Sequence, residues 1–267
     1  MNLDRLRKII AYSESNRDSI HTRVKNFCSF VSLETDSPVL NILQIARSAF
    51  EKKGYFVFEI PVEDYEIGAL CYKRTGLGYV VLNTSLPRVN VNFAIAHEIY
   101  HVFFGNDEFV SKVEFFDEHY YEREEEFEAN IFAGILLLPE SGFRRMYAKF
   151  KIESGTNEFD TLIRLMSYFQ VPYMAVLIRC LELNLFSYNS LPADLFNYDS
   201  KVIKQKMSEL WLDDTIMNSS GKDDYRHIEE LVESRGREFI QAGYITEHVL
   251  SKILENMRNL FIRIKGK

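Results

Sequence analysis

The spacing of apolar residues predicts a helix and then a small sheet in the first third of the chain. Apolar side chains recur at helical spacing between Pro38 and Gly54, and Gly54 is placed to end that helix. The aromatic and β-branched residues that follow indicate three strands, at 55–60, 68–72 and 79–82. Because Gly76-Leu77-Gly78 can turn the chain between the last two strands, we expect a small antiparallel sheet.

The rest of the chain shows mainly helical spacing. We expect a helix that Asn92 caps and that stops at Gly105, followed by a polar and aromatic loop over 106–120. The next helix begins with acidic residues, which suit the positive end of a helix dipole, and ends at Pro139. The N-terminal segment and the region after Gly155 have helical spacing at 3–12, 20–31, 159–169, 173–183, 202–210, 226–240 and 246–262.

These elements indicate an α+β protein, in which a small antiparallel sheet packs on helices and a helical C-terminal region follows. We divide the chain into four parts. They are an N-terminal helical segment (1–37), a core (38–153), a pair of helices similar to a helix-turn-helix (154–190) and a helical C-terminal extension (191–267).

Composition and charge are typical of a soluble globular protein. The chain has 267 residues, of which 46% are hydrophobic and 27% charged, and its formal net charge is −7. The negative balance argues against binding of a polyanion by the chain as a whole. The three cysteines are far apart and form no CxxC pair, which predicts reduced thiols and a cytoplasmic protein. We find no signal peptide and no apolar run of membrane-spanning length.

The most informative segment is His97-Glu98-Ile99-Tyr100-His101, within the helix that we expect to stop at Gly105. Residues four apart share one helix face, so both imidazoles can bind the same divalent metal ion. Glu98 then stands beside the open coordination position. A catalytic zinc site of this kind needs a third protein ligand and leaves its fourth position to water.

A glutamate of the following helix is the natural third ligand. Ile131, Phe132 and Ile135 mark an apolar face of that helix, and Glu128 shares this face. Because a carboxylate among core residues is costly unless it is paired or metal-bound, we expect Glu128 to be the ligand. Glu124 lies on the same face one turn earlier and is the reserve ligand.

Together these segments resemble the ImmA/IrrE family of metallopeptidases over roughly residues 38–185. Beyond the motif at 97–101, the resemblance is carried by Glu128-Ala129-Asn130-x-Phe132-Ala133 and Leu136-Leu137-Leu138-Pro139. It implies a zincin-like metallopeptidase core with one Zn²⁺ ion held by His97, His101 and Glu128, and with Glu98 as the general base. It also implies cleavage of a specific cytoplasmic protein, a helix-turn-helix repressor of the kind found in mobile elements and stress-response systems.

Some roles stay open at this point. Peptide hydrolysis needs a donor for the oxyanion, and several side chains are chemically able to serve. They are His119, Tyr120, Tyr121, His227 and His248. Asn130 matches the family motif, and it is a candidate either to hold a metal ligand in place or simply to pack between helices.

Two other functions compete with proteolysis. One is a non-proteolytic antirepressor or toxin–antitoxin partner with a metal-binding but inactive site. The other is a DNA-binding regulator that uses the helix pair at 159–183. The second helix of that pair has Arg179 as its only basic residue and consists mostly of apolar residues. We therefore expect a protein substrate as the partner, and neither direct nucleic-acid binding nor a membrane partner.

Overall fold

A computed structural model describes residues 3–74, 77–105, 109–114, 124–155, 157–186, 195 and 198–266. It confirms the α+β class. The elements in chain order are α1 (Leu3–Val31), α2 (Ile42–Lys52), β1 (Tyr55–Ile60), β2 (Ile67–Arg74), β3 (Leu77–Asn83), α3 (Arg88–Phe104), β4 (Phe109–Glu114), α4 (Glu124–Leu137), α5 (Glu140–Ser154), α6 (Glu158–Phe169), α7 (Tyr173–Glu182), α8 (Ser200–Glu209), a 3-10 turn (Asp214–Met217), α9 (Tyr225–Gln241) and α10 (Glu247–Ile264).

The sheet is mixed rather than purely antiparallel, which corrects the sequence-based expectation. Its strand order is β1-β3-β2-β4, and β1 runs parallel to β3 while the other pairs are antiparallel. Gly78 belongs to β3 and lies opposite Tyr55 of β1. A Cβ atom at Gly78 would come within 2.6 Å of the Tyr55 ring. The glycine therefore permits the close parallel pairing of β1 and β3, which alternation alone does not reveal.

The expected loop at 106–120 contains a strand. Residues Phe109–Glu114 form β4, which pairs with β2 at one edge of the sheet. Its sequence mixes charged, polar and apolar residues, so its extended form follows from backbone pairing with a neighbour that is distant in the chain.

The helix that carries the two histidines starts earlier than its sequence suggests. It begins after Pro87, and Asn92 lies inside it, where its side-chain amide donates to the carbonyl of Gln170 at 3.1 Å. Asn92 is therefore a tertiary contact and not a cap. The end of the helix at Phe104, with Gly105 as the C-cap, is confirmed.

One hydrophobic core connects most of the molecule. Its buried side chains run from Ile20 to Ile216 and cross the predicted boundaries at 37/38 and 153/154. Helix α3 packs against the sheet and against α4, and the single long helix α1 packs on α4 from outside. The two histidines of α3 are therefore enclosed by the sheet and α4.

Helix α7 is largely buried, as its apolar sequence predicts. Arg179 is 2% exposed, and its Nε donates to the carbonyl of Leu138 at 3.0 Å. Its Nη1 donates to Glu182, which also accepts from Ser13 of α1. The one cation of this helix therefore connects α4, α7 and α1 inside the protein.

Within the described ranges, no single helix is long and apolar enough to cross a membrane. Helices α6 and α7 reach that length and hydropathy only as a pair, and the chain bends by 109° between them.

A short segment, residues 218–224, attaches the C-terminal helices to the sheet, and we call it the strap. Asn218 accepts from the backbone of Arg88 at the start of α3, and the backbone of Gly221 donates to Thr84. Asp224 binds Glu59 of β1 twice, since its amide donates to the Glu59 carbonyl and its carboxylate accepts from the Glu59 amide, both at 2.8 Å. The strap therefore covers the outer edge of β1.

The Asp224 carboxylate should contribute measurably to stability. We expect Asp224→Ala to lower the free energy of unfolding by about 1–2 kcal/mol, because the Glu59 amide loses its acceptor. Urea denaturation measures this change. Glu230→Ala is the matched control, because it removes a carboxylate from an exposed i,i+4 pair with Arg226 and should change stability by less than about 0.5 kcal/mol. Equal effects of the two variants would show that the Asp224 carboxylate adds no more to stability than an exposed ion pair.

Candidate metal centre

The two histidines of the motif face each other across one turn of α3, as their spacing predicts. The Nε2 atoms of His97 and His101 lie 3.1 Å apart, and both side chains are buried. Helix α3 places them there because residues four apart stack on one face. The pair therefore presents two imidazole nitrogens to a single point.

The carboxylate that joins them comes from Glu126 of α4. One oxygen lies 3.0 Å from Nε2 of His97, and the other lies 3.4 Å from Nε2 of His101. Glu126 is only 4% exposed. The ligand atoms of His97, His101 and Glu126 all lie within 4.8 Å of one another, which makes this cluster a candidate metal site.

The structure does not bring Glu128 or Glu124 to the histidines, and this corrects the choice of carboxylate made from the sequence. Glu128 turns away and pairs with Arg23 of α1 at 2.6 Å, and Glu124 is exposed at the start of α4. The physical reason is that α4 is buried on more than one side. Apolar spacing identified a buried face of α4, but that face packs towards α1 rather than towards the histidines.

A different signal in the sequence could have identified Glu126. Glu126 and Asn130 are four residues apart, so they share one face of α4. Asn130 lies against the same histidine, because its side-chain oxygen is 3.0 Å from Nδ1 of His97. The Asn130 oxygen can accept a proton from Nδ1 of His97, and with a metal bound this arrangement would leave Nε2 of the neutral ring free to be the ligand. Of the two roles considered for Asn130, the geometry favours that of holding His97.

Glu98 lies beside the cluster in a fully buried position. It is 0% exposed, and among the residues that the structure describes only the Cys71 thiol, a weak donor, lies against its carboxylate, which has no hydrogen bond of ordinary geometry. Burial raises the pKa of Glu98, and the positive charge that the His101 and His97 rings can carry opposes this rise. A buried carboxylate whose pKa is raised holds a proton more readily than an exposed one, which suits a group that must take up a proton and release it again.

Contacts within the cluster shift the pKa values of Glu126 and His101 in opposite directions. Burial alone would raise the pKa of Glu126, but hydrogen bonds from His101 and His97 lower it overall. Burial alone would lower the pKa of His101, but hydrogen bonds to Glu125 and Glu126 raise it overall. A metal ion at this point would compete with protons for the same imidazole nitrogens and carboxylate oxygens.

The residues present fit a divalent metal ion such as zinc. Two imidazole nitrogens and one carboxylate form a donor set that catalytic zinc sites use, with a fourth position left for water. The buried carboxylate of Glu98 adds to the argument, because a buried charged group that faces only a weak donor, the Cys71 thiol, is costly. A water molecule held beside the cluster would give Glu98 a stronger hydrogen bond than the thiol can supply.

Comparison with known families agrees with this geometry. Residues 50–181 match the family described as IrrE N-terminal-like domain (Peptidase_M78). This chain carries an ImmA/IrrE-family metallopeptidase domain. A comparison with curated proteins found no match. The matched region contains β1 to β4 and both helices of the metal cluster, whereas α1 and the strap lie outside it.

The side chains considered as oxyanion donors fall into two groups. His119, Tyr120 and Tyr121 lie outside the described residues. His227 and His248 are exposed on α9 and α10, and neither belongs to the metal cluster.

Glu126 should be required for metal binding and Glu124 should not. We expect Glu126→Gln to lose the metal, because it removes the only ligand that α4 contributes to the cluster, whereas Glu124→Gln should retain the wild-type metal content. Elemental analysis of the purified variants measures the bound metal. Full metal content in Glu126→Gln would exclude this carboxylate as a ligand.

We expect the side-chain oxygen of Asn130 to support metal binding by accepting a hydrogen bond from His97. We expect Asn130→Ala to weaken metal binding by about 10- to 100-fold, because His97 loses the contact that orients its ring. Asn130→Asp keeps an acceptor at the same place and should weaken binding less. A competition titration with a chelating dye gives both constants, and unchanged affinity in Asn130→Ala would leave Asn130 with a packing role only.

Proposed function

We propose that this protein is a zinc-dependent endopeptidase that cleaves a specific cytoplasmic protein, a helix-turn-helix transcriptional repressor. One observation carries the proteolytic part of the proposal. The buried cluster of His97, His101 and Glu126 lies next to the fully buried carboxylate of Glu98, inside a peptidase-family domain.

The chain's own groups have distinct roles in this proposal. His97, His101 and Glu126 would hold the zinc ion, which supplies a Lewis acid that activates water and polarises the scissile carbonyl. Glu98 accepts a proton from the attacking water and passes it to the leaving amine. Asn130 keeps the His97 ring in the orientation that exposes Nε2. The burial of all four site carboxylates and imidazoles keeps bulk water from screening these charges.

The choice of substrate is supported by the family resemblance and not by any residue of the site. Three described features are compatible with a protein substrate rather than DNA. The net charge is −7, the basic residue of α7 is buried, and the one DNA-binding-like helix pair belongs to the core. A cytoplasmic location is compatible with three free, buried cysteines.

Glu98→Gln separates catalysis from binding. We expect this variant to keep its metal, because Glu98 is not a ligand, and to lose peptide cleavage by a factor of at least about 100, because the amide cannot accept the proton. The assay incubates the zinc-loaded protein with a purified helix-turn-helix repressor encoded next to its gene, and mass spectrometry identifies new termini.

Two controls complete this assay. Removal of the metal with a chelator should stop cleavage by the wild type, and added zinc should restore it. If Glu98→Gln relieves repression as well as the wild type while the repressor stays intact, the protein acts as a non-proteolytic antirepressor and the proposal is wrong.

A further inference from the structure

Arg23, Tyr100 and Glu128 form a polar cluster on the side of α4 away from the metal site, and we call it the Arg23 cluster. Nη1 of Arg23 donates to Glu128 at 2.6 Å and also to the hydroxyl of Tyr100. The Tyr100 hydroxyl in turn donates to Glu128. The guanidinium carbon of Arg23 lies 5.1 Å from the centre of the Tyr100 ring, so the cation also faces the aromatic group.

The Arg23 cluster connects three helices next to metal-site residues. Tyr100 directly precedes His101 on α3, and Glu128 follows Glu126 by two residues on α4. Arg23 belongs to α1, which lies outside the region that matches the peptidase family. An element from outside the family domain therefore binds both helices that form the metal site.

Helix geometry makes this contact relevant to the position of Glu126. Residues two apart on an α-helix point about 200° apart around its axis. Glu126 therefore reaches the histidines from one side of α4 while Glu128 is held from the other side. A rotation of α4 that moved Glu126 away from His97 would also pull Glu128 from Arg23 and Tyr100.

Stability alone is a weak explanation for this arrangement. The side chains of Arg23 and Glu128 are 30% and 19% exposed, and partly exposed ion pairs contribute little to stability because solvent screens them. Contacts that fix the rotation of a helix need to be directional, but they need not be strong. The three hydrogen bonds of the Arg23 cluster are directional, and the helix that they hold carries a metal ligand.

We propose that Arg23 is a positioning residue for the metal centre. By holding Tyr100 and Glu128 together, it fixes the rotation of α4 and so the distance from the Glu126 carboxylate to His97 and His101. The inference rests on the proposed function in one respect, namely that a metal binds at this cluster.

The test compares metal affinity and stability in matched variants of the full chain. We expect Arg23→Met to weaken zinc binding by about 10- to 100-fold in a chelator competition titration, the effect typical of residues that orient metal ligands. Arg17→Met is the control, since Arg17 lies on the same helix and pairs with Glu140 of α5 at 2.5 Å, and it should bind zinc like the wild type. Urea denaturation of the metal-free proteins shows whether the two substitutions cost similar stability.

A double-substitution cycle makes the test specific. If Arg23 acts through Glu128, then Arg23→Met and Glu128→Gln together should weaken zinc binding no more than the stronger single variant. The cobalt-substituted Arg23→Met protein should also show an altered visible spectrum, because the carboxylate ligand has moved. If Arg23→Met folds poorly, Arg23→Lys is the alternative variant. It keeps the charge but cannot contact Tyr100 and Glu128 in the same way, so we expect an intermediate loss of zinc affinity.

The outcomes distinguish this inference from the proposed function. Wild-type zinc affinity in both Arg23→Met and Arg23→Lys, or strictly additive effects in the cycle, would overturn the positioning role while leaving the peptidase proposal intact. If the wild type binds no zinc and Glu98→Gln does not alter cleavage, the proposed function and the inference both fail.

Discussion

The packing of α4 on α3 is the contact on which the functional architecture depends. It places the Glu126 carboxylate against the Nε2 atoms of two buried histidines and leaves the Glu98 carboxylate enclosed beside them. Such a concentration of ionisable groups away from water costs free energy, and it is tolerated when the groups pair with each other or bind a metal. The rest of the fold keeps α3 and α4 in this relative position.

Two elements from outside the family domain hold that pair of helices from different sides. Helix α1 reaches α4 and α3 through Arg23, while the strap binds β1 and the first residue of α3. Helix α9 follows the strap and packs near β1, which is the opposite edge of the sheet from β4. Helix α9 is therefore attached to the family domain on the β1 side, whereas α8 packs against α6.

Residues next to the metal cluster contact its ligands or hold the helices that carry them. Asn130 fixes the ring of His97, and it lies one turn from Glu126 on the same helix. Glu128 and Tyr100 lie on the other side of the same helix pair. Metal sites with ligands supported in this way lose affinity when the supporting residues are changed, which links the helix packing to the chemistry of the centre.

The sequence by itself determined what depends on local geometry. The four-residue spacing placed His97 and His101 together, because a helix stacks such residues on one face, and apolar spacing located most helices and three of the strands. Tertiary structure alone decided which carboxylate completes the cluster. Helix α4 is buried on several sides, so its spacing showed that Glu128 faces the interior but not that this face meets α1 while Glu126 meets the histidines. The parallel pairing of β1 with β3 and the strand β4 were likewise decided by contacts between segments distant in the chain, which no local pattern encodes.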